Sequence, residues 1–364
     1  MKPMVLFLYM ICTVLLCTAA AARPIIDASG RTVQVPEHVE RVICSGPGCL
    51  RLLTYLRSQQ MAVAVDSAEL SCNTFDARPY AIANPQFKKL PLFGEFRGND
   101  NPELILSLTP QPQVIFKTYA GMGHDPAELQ KKTGIPVVVL DYGNLTDARF
   151  RFFASLDIMA GVIGKKEQSD AVKAFLGNQI ADLTTRCGHI SAEQAPSVFI
   201  GGVAYKGQHG FQSTEPAYPP FVFINAWNPA NDKTAATTGL RVSNIAKEKI
   251  LEWDPDFLFL DLSSLQSEAR ALNELKNDPV YKVLTAVRSG RVYGVLPYNS
   301  YTINYGSALA NAYYIGKTLY PDRFEDIDPA EKADAIYTFL VGEPVFSGMN
   351  QCVGNHAFNS MSLR

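Results

Sequence analysis

The chain has 364 residues, of which 19% are charged, and a formal net charge of -2. With no basic stripe and no long run of one sign, this balance argues against nucleic acid as a partner. The length exceeds what one ordinary core carries, so two lobes or one large domain are expected.

In chain order, Met4 to Ala22 is a nearly uncharged run behind Lys2 that closes on "TAAAARP". It predicts a secretory signal peptide over residues 1–22, cleaved ahead of Arg23-Pro24; the competing reading is an uncleaved anchor, since the run is about long enough to span a bilayer. Leu16 stands where a lipoprotein signal carries a small residue, which argues against lipidation of Cys17. Export to the periplasm is therefore expected. Five cysteines then remain, Cys44, Cys49, Cys72, Cys187 and Cys352, an odd number in a compartment where disulfides form. None has C-x-x-C spacing, so neither a redox site nor a zinc knuckle is indicated. A Cys187–Cys352 bridge is one pairing among many.

Short apolar strands alternate with helical stretches: "RVICS", "AVAVD", "QVIF" and "PVVVLDY" in the first half, "SVFIGG", "FLFLDL" and "RVYGVLP" in the second. This pattern predicts parallel sheets covered by helices. Between the halves, Phe150, Phe153, Leu156, Met159 and Val162, then Val172, Phe175, Leu176, Ile180 and Leu183, recur at spacings of three and four. Two helices divided near Gly161 and Gly164 follow, the second long enough to act as a spine. The expected organisation is a first lobe over 23–145, a helical connector over 146–186, a second lobe over 187–341 and a tail over 342–364.

Two segments share a template. "PELILSLTPQPQVIF" places Glu103, Ile105, Leu106 and Pro110 at the same spacing as Glu248, Ile250, Leu251 and Pro255 in "KEKILEWDPDFLFL". "GIPVVVLDY" from Gly134 and "GRVYGVLPY" from Gly290 agree likewise, in the same order. Two such matches indicate two lobes of related build.

After the first strand stands "SGPG", with Ser45, Gly46 and Gly48 where ligands of open parallel sheets bind. A dinucleotide fingerprint fails here, because Arg51 occupies the third glycine position and Asp66 is only a loose match to the acidic one. The turn is read as the rim of a cleft, the plainer reading being a strand-to-helix connection.

The succession "DASGRTVQVPEHVERVICSGPG", "LPLFGEFRGNDNPELILSLTPQPQVIF", "TGIPVVVLDYG", a connecting helix and "KEKILEWDPDFLFL" resembles the periplasmic substrate-binding proteins of iron-chelate and vitamin B12 importers. The resemblance implies two α/β lobes with mainly parallel sheets joined by a rigid helix, a ligand in the cleft, no enzymatic activity and docking on an ATP-driven permease dimer. It also implies that Glu103 and Glu248 pair with permease arginines, where charge guides encounter and register.

Ligand contacts are expected from Ser45, Gly46, Gly48, Arg97 and Tyr119 in the first lobe. Tyr205, Lys206, His209, Trp227, Tyr298 and Tyr301 are expected from the second, most of them in a long aromatic segment after its first strand. His209 or a tyrosinate could instead ligate iron. The aromatic content favours a chelate such as a ferric siderophore, haem or a cobalamin-like ligand, with a molybdate or tungstate oxoanion as the alternative. A further alternative is an extracytoplasmic sensor lobe. No G-x-S-x-G, H-E-x-x-H or P-loop signature is present, and neither a cofactor nor an oligomer is expected.

Overall fold

A helical connector separates two parallel sheets of unequal size. The computed structural model describes residues 22–70, 75–191, 195–205, 207, 209–231, 242–266 and 270–363. The leader up to residue 21, Cys72 and Lys206 lie outside the described residues.

The hairpin of β1 (Ala22–Ile26) and β2 (Thr32–Pro36) opens the chain and ties to the first sheet where Ala28 N–H donates to Val139 O at 3.0 Å. The first sheet takes β3 (Val42–Ser45), β4 (Ala62–Asp66), β5 (Leu92–Glu95), β6 (Asn99–Asp100), β7 (Val114–Thr118) and β8 (Val137–Leu140), in spatial order β6-β5-β4-β3-β7-β8. Only the two-residue β6 runs antiparallel. In the second half come β9 (Val198–Gly201), a small antiparallel ribbon of β10 (Ser213–Thr214) and β11 (Ser243–Asn244), β12 (Phe257–Asp261) and β13 (Val292–Val295). Strands β13, β12 and β9 form a parallel sheet in that order. Central strands are buried on both faces, with Val42, Ile43, Val114, Ile115, Phe116, Leu258, Phe259 and Leu260 all at 0% exposure. Helices cover the two faces of a parallel sheet, so continuous apolar runs rather than alternating ones mark its strands.

The connector is two helices, Arg149–Ile163 and Lys166–Cys187. Gly164 ends the first in the left-handed conformation, with φ 69°. The second has 22 residues, about 33 Å at ~1.5 Å per residue, and buries Val172, Leu176 and Leu183 along one stripe. It is not the only link between the halves. The Pro329–Val341 helix packs on the Cys49–Tyr55 helix, and Arg57 donates to Thr338 O at 2.6 Å and Phe339 O at 2.8 Å.

The repeated landmarks fall on equivalent elements. The Pro102–Ser107 helix precedes β7 as Lys247–Trp253 precedes β12; Gly134 and Gly290, both with positive φ, precede β8 and β13. The tail is not loose: Phe358 N donates to Gly294 O and Met361 N to Val292 O. It thereby covers the outer edge of β13, a place where unpaired backbone invites aggregation. Cys187 and Cys352 are both free thiols. The first sits at the end of the connector near Arg323. The second ends the Phe346–Cys352 helix, which packs on the Pro79–Ala83 and Pro329–Val341 helices.

Candidate ligand-binding cleft

Parallel strands place their carboxyl ends, and the loops that follow, at one edge of a sheet. Here those edges face each other across a cleft of about 780 Å³. From the first half come Pro47 after β3, Arg97 in the turn between β5 and β6, and Tyr119 after β7. The second half contributes Tyr205 after β9, Ser263 after β12, and the run from Asn299 to Thr302 after β13.

The backbone is held in an unusual state around this cleft. Nine non-glycine residues among those described have positive φ, and Arg97 (61°), Tyr119 (53°), Tyr301 (47°) and Thr302 (67°) all line the cleft. Such conformations cost of order 1–3 kcal/mol each and persist where the surroundings over-determine them, a pattern that concentrates at ligand sites. The restraints here are bonds that cross from one half to the other. Tyr119 and Thr302 share a hydroxyl–hydroxyl hydrogen bond at 2.6 Å. Tyr301 Oη donates to Asp66 Oδ2 at 2.5 Å and accepts from Arg97 N at 3.0 Å. Burial pushes the Asp66 carboxyl up to about 7, against the pull of the Tyr301 hydrogen bond.

Arg51, in the position that breaks the dinucleotide motif, has a structural task. It is 1% exposed and donates to Ile303 O at 2.7 Å and Ser300 O at 3.1 Å, with further bonding to the Tyr142 hydroxyl. It braces the loop after β13 from below. Lys117 does the same for the Arg97 turn: its buried Nζ donates to Asp100 Oδ2 at 2.6 Å, Gly98 O at 3.0 Å and Ser45 Oγ at 3.2 Å.

Of the eleven expected ligand contacts, Arg97, Tyr119, Tyr205 and Tyr301 line the cleft. The turn contributes Pro47 rather than its glycines. A Cβ on Gly46 would stand 2.6 Å from Thr118 O and one on Gly48 would run into the Tyr142 ring, so both glycines serve close packing. Ser45 is buried beneath them. Tyr298 is fully buried, its hydroxyl bonded to Glu215. His209 is exposed, but its Nε2 donates to Tyr205 O at 2.8 Å and it does not line the cleft. Trp227 lies at the wrong end of its sheet: its carbonyl accepts from Val198 N, at the start of β9, and its ring borders a separate hollow with Trp253. Lys206 is outside the described residues. Thr302, Asn299, Ser300 and Asp66 were not anticipated, and the one signal for them was their place at or beyond the carboxyl end of a strand, Asp66 as the last residue of β4 and the others after β13.

Arg97 is the only charged residue among the described residues lining the cleft, and its guanidinium lies over the Phe96 ring. Around it are hydroxyl and amide groups of Tyr119, Ser263, Asn299, Ser300 and Thr302, while Phe75, Phe96, Met122 and Tyr205 supply apolar surface. No cluster of three or more His, Cys, Asp or Glu suited to a metal ion occurs among the described residues. Glu103 and Glu248 are both exposed, each the second residue of its helix, where a carboxylate complements the helix dipole.

The chain is 25% identical over 343 residues to the molybdate-binding protein MolA of Haemophilus influenzae, spanning 85% of this chain and 88% of that one. The molybdate-bound MolA structure matches with TM-score 0.64 at 21% identity, over 88% of this chain and 98% of its own. A periplasmic solute binding protein from Veillonella parvula gives TM-score 0.69 at 16% identity, over 93% and 99%. The heme binding protein HmuT gives 0.53 at 16%, over 83% and 91%. Residues 42–298 match the sequence pattern of one family across both sheets and the connector, and the chain belongs to that family, the periplasmic binding proteins.

Proposed function

We propose that this protein captures a tetrahedral oxoanion of the molybdate or tungstate kind in its cleft and delivers it to an ATP-driven permease. The observation that carries the ligand reading is the lining: among the described residues, one charged group, the Arg97 guanidinium, stands among neutral hydroxyl and amide groups on both halves. One cation and several neutral donors suit a small anion that must be desolvated, held and released. The kinship with a molybdate-binding protein supports the same choice. Two of the aromatic residues that favoured a chelate from sequence lie elsewhere, since Tyr298 is buried in the core and Trp227 belongs to the far end of β9.

A metal chelate is the second reading. It is favoured by the cleft volume of about 780 Å³ and by the apolar surface of Phe75, Phe96 and Met122. Metal analysis of ligand retained through gentle purification, with calorimetric titration of molybdate, tungstate, sulfate, a ferric siderophore and haemin, separates the two. Binding of a chelate with no response to molybdate or tungstate would overturn the oxoanion reading.

Delivery rests on Glu103 and Glu248, which occupy equivalent positions in the repeated helix–strand unit. Exposed Leu104 and Leu106 flank the first, giving that docking face apolar area as well as charge. The protein acts outside the cytoplasm in this reading, as a binding protein without catalysis.

A further inference from the structure

The stretch "VICSGPGC" holds two thiols five positions apart, a spacing that matches no redox motif. The fold nevertheless brings them together. Cys44 lies in β3 opposite Phe116 of β7, and the Cys49 thiol, in the first residue of the following helix, donates to that same Phe116 carbonyl at 3.4 Å. Val42 and Cys44 share the face of β3 that packs beneath this helix, and Cys49 belongs to the same core. The left-handed glycines, with φ 85° at Gly46 and 76° at Gly48, fold the intervening turn back so that both cysteines, free thiols in this structure, come to the same Phe116.

We infer that Cys44 and Cys49 form a disulfide that staples the turn whose Pro47 lines the ligand cleft. The inference rests on the reading that the chain works outside the cytoplasm, where a dithiol–disulfide oxidoreductase in its disulfide form is the oxidant. One Cys thiolate attacks that disulfide and a mixed disulfide forms. The second cysteine then displaces the oxidoreductase. The pair loses two electrons and two protons, and the oxidant leaves as a dithiol. Cys49 is 0% and Cys44 5% exposed, and burial above all pushes the Cys49 thiol well above its usual range, with Cys44 adding to the effect. Thiolate attack is therefore confined to the interval before the helix settles on the sheet. After folding, the same burial shields the bridge from reductants.

The test uses the full chain, denatured with reductant, then refolded with and without a disulfide-form oxidoreductase, alkylated and digested without reduction. Peptide mapping should show a Cys44–Cys49 bridge in the oxidised preparation. The reduced one should carry two thiols there that react only on unfolding. The bridged form should melt several degrees above the reduced form, and a Cys49→Ser variant should lose that difference without pairing Cys44 to another residue. Free Cys44 and Cys49 after oxidative refolding, or pairing of either with Cys72, Cys187 or Cys352, overturns the inference. Titrating the same preparations with molybdate reports on the ligand reading separately, and isolation of the natively produced chain from the periplasmic fraction reports on its location.

Discussion

Lys117 and Asp100 form an ion pair at 2.6 Å with both side chains at 0% exposure, directly behind the turn that presents Arg97. At an effective dielectric of ~20 their attraction is about 6 kcal/mol, but each ion has given up several kcal/mol of hydration, so the pair gains little net stability over apolar side chains of the same shape. Removing one partner is different, because it strands the other charge in the interior. Asp100→Asn leaves the ammonium with Gly98 O and Ser45 Oγ as its remaining partners; Lys117→Met leaves the carboxylate without its cation. Each single substitution should cost ~3–5 kcal/mol in urea unfolding, and the double variant should fall short of the sum by ~2 kcal/mol or more. A double variant equal to the sum, or single losses below ~1 kcal/mol, would refute the reasoning. Both single variants should also weaken ligand binding, since Gly98 follows Arg97 in the turn.

Arg97→Ala should raise the dissociation constant for molybdate roughly 10- to 100-fold in calorimetry, with Arg97→Lys intermediate because it loses the planar fork; an unchanged constant would remove Arg97 from the site. The Asp66 carboxyl titrates near 7 in the folded chain against an ordinary 3.8. Between these values the folded state holds a proton that the unfolded state has lost, so its contribution is full below pH ~4 and declines as pH rises to about 7. Asp66→Asn should flatten that part of the stability profile, and an identical slope in the variant would assign it to other groups. Replacing Glu103 and Glu248 together by Ala should abolish most transport by whole cells while ligand affinity stays as it was; transport at the original rate would dismiss both as docking residues.

Much of the architecture was legible because uninterrupted apolar runs such as "VVVL" have one common use, a strand covered on both faces. The connector was equally plain, since Val172, Leu176 and Leu183 keep helical spacing over several turns. The equivalence of Glu103 and Glu248 followed from a repeated template, and the structure gives both the same helix position. The cleft was harder. Irregular loops have no periodicity to tell inward from outward, so Tyr301 and Tyr298, three residues apart, look alike in sequence while one lines the cleft and the other is core. Trp227 misled because the segment after β9 returns to the start of that strand. Thr302 and Asp66 escaped because a threonine and an aspartate carry no signal until a partner across the cleft is known. The meeting of Cys44 and Cys49 at Phe116 was hidden by their spacing, which two left-handed glycines close.

The placement of the aromatic residues decides how this protein can be watched at work. Tyr119, Tyr205 and Tyr301 border the cleft, and Tyr119 stacks on Tyr142, which stacks on Tyr305. Both tryptophans of the chain lie together in a hollow beside the amino ends of β9 and β12. Cargo arriving between the lobes will therefore leave indole emission almost unchanged and will register instead in the near-ultraviolet absorption and dichroism of phenol rings.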